Sequence, residues 1–196
     1  MDFANYEHHR PDYEVFCAAI DATPNLPVFS GDRIRVRNEN RKKDPTPDEI
    51  RRMMYQSVMA GGVGGTWGYL IENGESAIGP GSWSFPNREQ LKAFCRFFFT
   101  DQRFTADMER VKDLGDGDRV VALADPTRKR FLIYGEEVNS ITLRMEPDSG
   151  KLPVSAIDTK KPYELIDLGE LDEEAATISL PYSSDWAVTV GFPNPN

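Results

Sequence analysis

Histidine and cysteine are scarce in this sequence, two of each among 196 residues, and their placement removes most metal and redox chemistry. His8 and His9 are neighbours, so their side chains diverge in helix and strand alike and cannot both ligate one metal from a regular element. Cys17 and Cys95 fit no metal-binding spacing. Each falls on the apolar side of an expected helix, where a free thiol behaves as a small buried hydrophobe. No cofactor and no metal is expected. No apolar run approaches the roughly 18 residues of a membrane span, and Met1-Asp2-Phe3-Ala4-Asn5 has neither the basic nor the apolar region of a secretory leader. No membrane partner is expected, and as written the chain is expected to start in the cytoplasm.

An excess of positive charge is also missing. Lys and Arg number 23 against 32 Asp and Glu, a net charge of −9, whereas sequence-independent nucleic-acid affinity comes from basic residues neutralising phosphates. No nucleic-acid partner is expected. The one basic stretch, residues 33–43, contains Glu39 and is closed by Asp44, which suits a solvated loop. Gly61-Gly62-Val63-Gly64-Gly65 lacks the Gly-Lys-Ser/Thr ending of a phosphate loop and leads into a strand, so close backbone packing accounts for its glycines. Gly169-Glu170-Leu171-Asp172-Glu173-Glu174 has no alternating aspartate series for calcium and reads as a solvated hairpin connection.

What the chain does contain is enough apolar material for a core: 39% of residues, with eleven Phe and three Trp. In the first half it is arranged as strand, helix, strand. Leu26-Pro27-Val28-Phe29-Ser30 is apolar on successive residues, as a strand buried on both faces should be. The alternation of Ile34 and Val36 with Arg33, Arg35 and Arg37 either extends that strand or forms a separate arm. Thr46-Pro47-Asp48-Glu49 is a capping box with Pro at the first helical position. Ile50, Met53, Met54, Ser57 and Val58 then form a packing face, and Gly61-Gly62 ends the helix. Residues 63–70 make the second strand. Strand, helix, strand at this spacing is a βαβ unit, which requires a parallel sheet. An earlier helix has Pro11 at its first position, Asp12 and Glu14 in its first turn, and Tyr13, Phe16, Cys17 and Ile20 on one face. A later one has Asn87 and Gln90 at its start and Leu91, Phe94, Cys95 and Phe98 on its face.

Beyond about residue 104 the period changes from 3.6 to 2. Short β-rich runs at 119–124, 130–134, 140–145, 154–158, 163–168, 177–180 and 186–190 alternate with turn clusters such as Asp125-Pro126-Thr127 and Pro147-Asp148-Ser149-Gly150. Short strands at this spacing predict an antiparallel β-sandwich. The expected organisation is therefore α+β and multidomain: a partial (β/α) barrel segment over 1–104, a linker over 105–117, and a sandwich over 118–196.

Three segments carry a family likeness: Leu26-Pro27-Val28-Phe29-Ser30-Gly31-Asp32; the helix-to-strand stretch that ends in Gly64-Gly65-Thr66-Trp67-Gly68; and Leu180-Pro181-Tyr182-Ser183-Ser184-Asp185-Trp186. Together they resemble the C-terminal part of apiosidase-like glycoside hydrolases, a TIM barrel followed by a sandwich often labelled a collagen-binding domain. The resemblance implies that Val28 lies on barrel strand seven and residues 63–69 on strand eight. It also implies a carboxylate four positions after that Val, where the family pattern has Glu and this chain has Asp32. Canonical glycoside hydrolysis needs a second carboxylate roughly 5 to 10 Å away. In the family it belongs to a strand this sequence does not include. Glu7 is the local candidate.

His8, Arg33, Arg35, Glu72 and Trp83 are candidate substrate contacts, with Trp83 as a ring on which a sugar could stack. Trp67 serves equally as a sugar platform or a core residue, and Asp32 as a site carboxylate or a turn residue. Asp185 and Trp186 read as structural, the Trp in the sandwich core and the Asp accepting backbone hydrogen bonds. The implied partner is a carbohydrate or glycoside, full-length relatives being secreted in some cases. Two of the eight barrel strands are expected here, so a complete glycosidase mechanism is not. Three other readings stand beside this one: a site completed by a second chain or by self-association, a sandwich that binds glycan or extracellular protein, and a structural protein with a vestigial barrel segment.

Overall fold

The computed structural model describes residues 3–6, 8, 12–34, 46–67, 71–72, 75–76, 88–101, 103, 107–112, 119–144, 150–171 and 175–193. Among these the chain is mostly antiparallel sheet with three helices, and it divides into compact units at 1–88 and 89–196.

The first unit runs β1 (Ala4–Tyr6), α1 (Tyr13–Asp21), β2 (Val28–Ile34), α2 (Pro47–Met59) and β3 (Gly64–Trp67). The strands form a parallel sheet in the order β1-β2-β3. Parallel neighbours need a crossover connection, and α1 and α2 supply one each. The sheet has three strands where the sequence predicted two. Asp12 is the N-cap of α1, taking the Val15 N–H on its side chain at 3.0 Å, so the helix starts two residues later than expected. Phe16 is buried and the Tyr6 ring meets it edge-on at 5.9 Å. This contact shows that the Ala4–Tyr6 face of β1 is the one α1 covers. The capping box of α2 forms as expected: Thr46 N–H donates to Glu49 at 2.6 Å and Glu49 N–H to Thr46 Oγ1 at 3.2 Å. Gly61, at φ +99°, closes the helix. Burial on α2 is wider than the expected stripe, taking in Arg51, Tyr55 and Met59 as well. A helix buried over most of its circumference is an interior element, not a surface one. Val28 to Ile34 is a single strand, so the Arg33 stretch extends β2. Two short strands, β4 (Ile71–Glu72) and β5 (Glu75–Ser76), pair with each other.

The second unit begins with α3 (Arg88–Cys95), whose last turn widens over Arg96–Thr100 so that the Asp101 N–H reaches the Arg96 carbonyl at 3.0 Å. The buried face takes in Ala93, Phe94, Phe97 and Phe98. Cys95 lies off that face and is exposed, and Cys17 is half-buried. The expectation of two buried thiols is corrected on both counts. Strands β6 (Glu109–Arg110), β7 (Val120–Ala124), β8 (Phe131–Arg144), β9 (Leu152–Asp158), β10 (Ile166–Leu171) and β11 (Ala175–Val190) form one antiparallel ladder, ordered β10-β9-β11-β8-β7-β6. Four of the expected short runs fuse in pairs: 130–134 with 140–145 as β8, and 177–180 with 186–190 as β11. Their pairing carries a bulge. Ser140 opposes Ser179 and Val138 opposes Ser184, five steps on β11 against two on β8. Such insertions bend a strand and raise its twist. Around the bend lies the core of the unit, with Trp186 fully buried among Phe131, Ile133, Ile141 and Leu143. Its indole N–H donates to the Tyr182 carbonyl at 3.1 Å.

Candidate functional site

Because β1, β2 and β3 are parallel, their C-terminal ends share one edge of the sheet, the edge where open α/β sheets and barrels place their sites. His8 follows β1 there and is exposed. Asp32 and Arg33 lie in the last part of β2, and Trp67 is the last residue of β3, opposite Ile34. The backbone thus brings His8, Asp32, Arg33 and Trp67 to the ends of three neighbouring strands. Glu72 lies on β4 opposite Glu75, in the separate two-stranded ladder. Glu7, Arg35 and Trp83 lie outside the described residues.

One feature of this edge was not visible in the sequence. Phe29 opposes Gly64 and Ser30 opposes Gly65, but the next matched pair is Ile34 with Trp67. Four steps on β2 face two on β3, so two extra residues are accommodated between Ser30 and Ile34. Asp32 is in the middle of that bulge. Bulges interrupt a ladder and re-aim side chains, and they concentrate beside active sites. Gly31 before Asp32 was the only local signal, since an isolated Gly inside a strand pattern marks a bulge or close backbone approach. The other unforeseen contributor is β1 itself, which turns the His8 region from a leading segment into a strand end.

The second unit holds polar clusters of a different kind. Asp158, at the end of β9, accepts from Tyr182 Oη at 2.8 Å on one oxygen. Its other oxygen accepts from Ser184 Oγ and the Lys160 N–H, each at 2.9 Å. Lys161 Nζ donates to Tyr182 Oη at 2.6 Å, and that bond holds its ammonium above the usual range. Tyr182 lies within the β11 bulge and Ser184 at its end, so this network fastens the bulge to β9. With every oxygen of Asp158 occupied, its role is structural. Among the described residues no three His, Cys, Asp or Glu side chains are placed to hold a metal ion. No described helix is long and apolar enough to cross a membrane.

No family model and no curated protein matches the sequence. Solved structures do match the fold. A protein described as a glycoside hydrolase aligns with a TM-score of 0.66 at 17% identity over 94% of this chain and 46% of its own. A glycoside hydrolase family 5 protein from Bacteroides vulgatus gives 0.65 at 17% identity, over 91% and 44%. A family 30 endoxylanase from Clostridium papyrosolvens gives 0.54 at 12%, over 98% and 49%. The chain thus spans just under half the length of these structures. At such identities the likeness concerns architecture alone, and the architecture is glycoside hydrolase-like.

Proposed function

We propose that this chain is the C-terminal part of a carbohydrate-active, glycoside hydrolase-like protein of the apiosidase-like kind, catalytically incomplete by itself. In this reading residues 1–104 are the last strands and helices of a (β/α) barrel, 105–117 a linker and 118–196 an accessory β-sandwich. Asp32 is the site carboxylate at the end of β2, and Glu7, next in sequence after β1, is the second local carboxylate. His8, Arg33, Arg35, Trp67, Glu72 and Trp83 contact the sugar. The observation that carries the reading is the bulge at Asp32, on the C-terminal edge of a parallel sheet whose structural matches are glycoside hydrolases of about twice this length. A carboxylate of Asp is one methylene shorter than the family's Glu, and an inserted bulge is a way to advance it.

The test is a chimera in which the part of the family 5 relative not covered by this chain is fused ahead of it. The chimera is expected to hydrolyse an aryl glycoside and to lose that turnover on Asp32→Asn, while the unfused chain gives none. A folded chimera without turnover, or one indifferent to Asp32→Asn, would sink the assignment. Turnover by the unfused chain, abolished by Asp32→Asn, would overturn its incompleteness.

A further inference from the structure

β1 is an edge strand with little to protect it. Among the described residues it pairs only with β2, and Ala4-Asn5-Tyr6 carries neither the charge nor the proline that usually blunts an exposed edge. In a parallel ladder successive residues direct their N–H and C=O groups to opposite neighbours. The Ala4 N–H takes the inward direction, to the Pro27 carbonyl at 2.8 Å, so within β1 it is Asn5 that turns both groups outward. Asn5 is exposed. On the sheet face away from α1, Phe3 is 50% exposed even with its ring edge-on to Phe29 at 6.3 Å. A second copy of the chain offers the same edge, and a two-fold axis through Asn5 makes that edge complementary to itself. The two Asn5 residues then exchange both N–H···O bonds, their Cα atoms about 5.5 Å apart, as in the bonded pair of an antiparallel ladder. Ala4 falls opposite the partner's Tyr6, and both have their groups turned inward to β2, as the neighbouring non-bonded pair requires. The contact is isologous and closed.

We propose that two copies of this chain join through β1 in this register, and that each lends Phe3 to the candidate site of the other. Antiparallel pairing sets the start of one β1 beside the end of its mate, and the end of β1 is the edge on which the candidate site lies. A two-fold axis normal to the sheet keeps the two helix-free faces on one side. The partner's Phe3 therefore stands on the helix-free face at that edge, an aromatic surface against which the apolar face of a sugar ring stacks. The role of Phe3 rests on the carbohydrate reading proposed above, whereas the pairing does not.

Disulfide trapping of the full chain reads the register. In a background of Cys17→Ser and Cys95→Ser, Asn5→Cys is expected to form a covalent dimer under mild oxidation, because about 5.5 Å lies within the Cα separation a disulfide spans. Phe3→Cys in the same background is expected to stay uncross-linked, since its two copies lie roughly 14 Å apart along the strands. A second copy paired in another register, or a different segment covering the edge, leaves Asn5→Cys monomeric, and that result overturns the pairing. Equal cross-linking of the two variants overturns it as well. Saturation-transfer NMR with an aryl glucoside on the trapped Asn5→Cys dimer then reads the ring. Transfer to the sugar protons is expected, and its loss on adding Phe3→Ala. Transfer that survives Phe3→Ala overturns the role of Phe3, and a trapped dimer with no transfer at all overturns the carbohydrate reading on which that role rests. Neither result touches the pairing, so the failures are told apart.

Discussion

The carboxylate of Asp185 accepts the backbone N–H of Glu137 at 2.9 Å, joining β11 to β8 where Glu137 turns to φ +54°. Asp185 is 0% exposed, and the same oxygen lies 3.3 Å from Lys160 Nζ. One side chain therefore satisfies the amide that the β8 irregularity would orphan and holds a lysine from the turn after β9. Asp185→Ala leaves both without that acceptor and is expected to cost about 3 kcal/mol of unfolding free energy in urea titration. Asp185→Asn keeps an acceptor for the amide and should cost about half as much. Equal losses in the two variants would show that the Glu137 contact contributes nothing.

Gly191 and Gly61 both have positive φ, +76° and +99°, yet they should respond differently to a methyl group. A Cβ on Gly191 would sit 1.8 Å from the Lys129 carbonyl oxygen, whereas at Gly61 the nearest atom is Ile20 Cδ1 at 4.0 Å. Gly61→Ala meets only backbone strain, about 1 kcal/mol. Gly191→Ala must also displace the β7–β8 turn and should cost more than about 3 kcal/mol. Thermal melts of the two variants check the contrast.

How much of this was legible in the sequence depends on whether the signal was local. The Thr46–Glu49 box, the Phe16 face of α1 and the period change beyond residue 104 are local, and the structure has each of them. Ala4-Asn5-Tyr6 carries no strand periodicity, because three residues are too few and Asn disfavours strands. It becomes β1 only by pairing with Val28, Phe29 and Ser30. Residues 135–139 fall between two expected short strands, yet they belong to β8 because β11 runs beside them. The register break that encloses Asp32 is likewise a property of two strands, which no pattern within β2 encodes. Cys95 was misplaced because the buried face of the helix runs through Ala93, Phe94, Phe97 and Phe98, on the other side of Phe94 from Cys95.

Asp125 predicts an acid limb of the stability curve. Burial pushes its carboxyl up, but this is outweighed by the Thr127 hydroxyl at 2.7 Å, the Arg130 and Lys129 N–H groups at 2.9 and 2.8 Å, and the Arg130 charge, leaving it below the ordinary value of 3.8. A carboxyl held lower in the folded than in the unfolded chain contributes stability above its unfolded value and loses it as pH falls through the folded one. Wild-type unfolding free energy should therefore decline below about pH 4, and Asp125→Asn should flatten that decline. At neutral pH the variant should already be weaker by about 1 to 2 kcal/mol, because the charged acceptor is gone. A wild-type and variant pair with parallel pH profiles between 5 and 2 would contradict this account.

β1 gives the proposed site its most direct handle. Among the described residues β1 pairs only with β2, and the Ala4 N–H points inward to the Pro27 carbonyl at 2.8 Å. In a parallel ladder both polar groups of a residue face one neighbour and those of the next residue face the other, so the N–H and C=O of Asn5 face the outer edge. The sheet face away from α1 carries Phe3 against Phe29, ring centroids 6.3 Å apart, with Phe3 50% exposed. An open edge beside an exposed aromatic invites a further strand. The unfused chain is therefore expected to self-associate reversibly in sedimentation equilibrium. Asn5→Pro removes only an outward N–H, so it should shift the chain to monomer while leaving its melting temperature nearly unchanged. Ala4→Pro removes the bond to Pro27 and should lower the melting temperature instead. A wild-type chain that stays monomeric at high concentration would show that the β1 edge is already covered. Completion of the site by an added strand would then have to occur elsewhere.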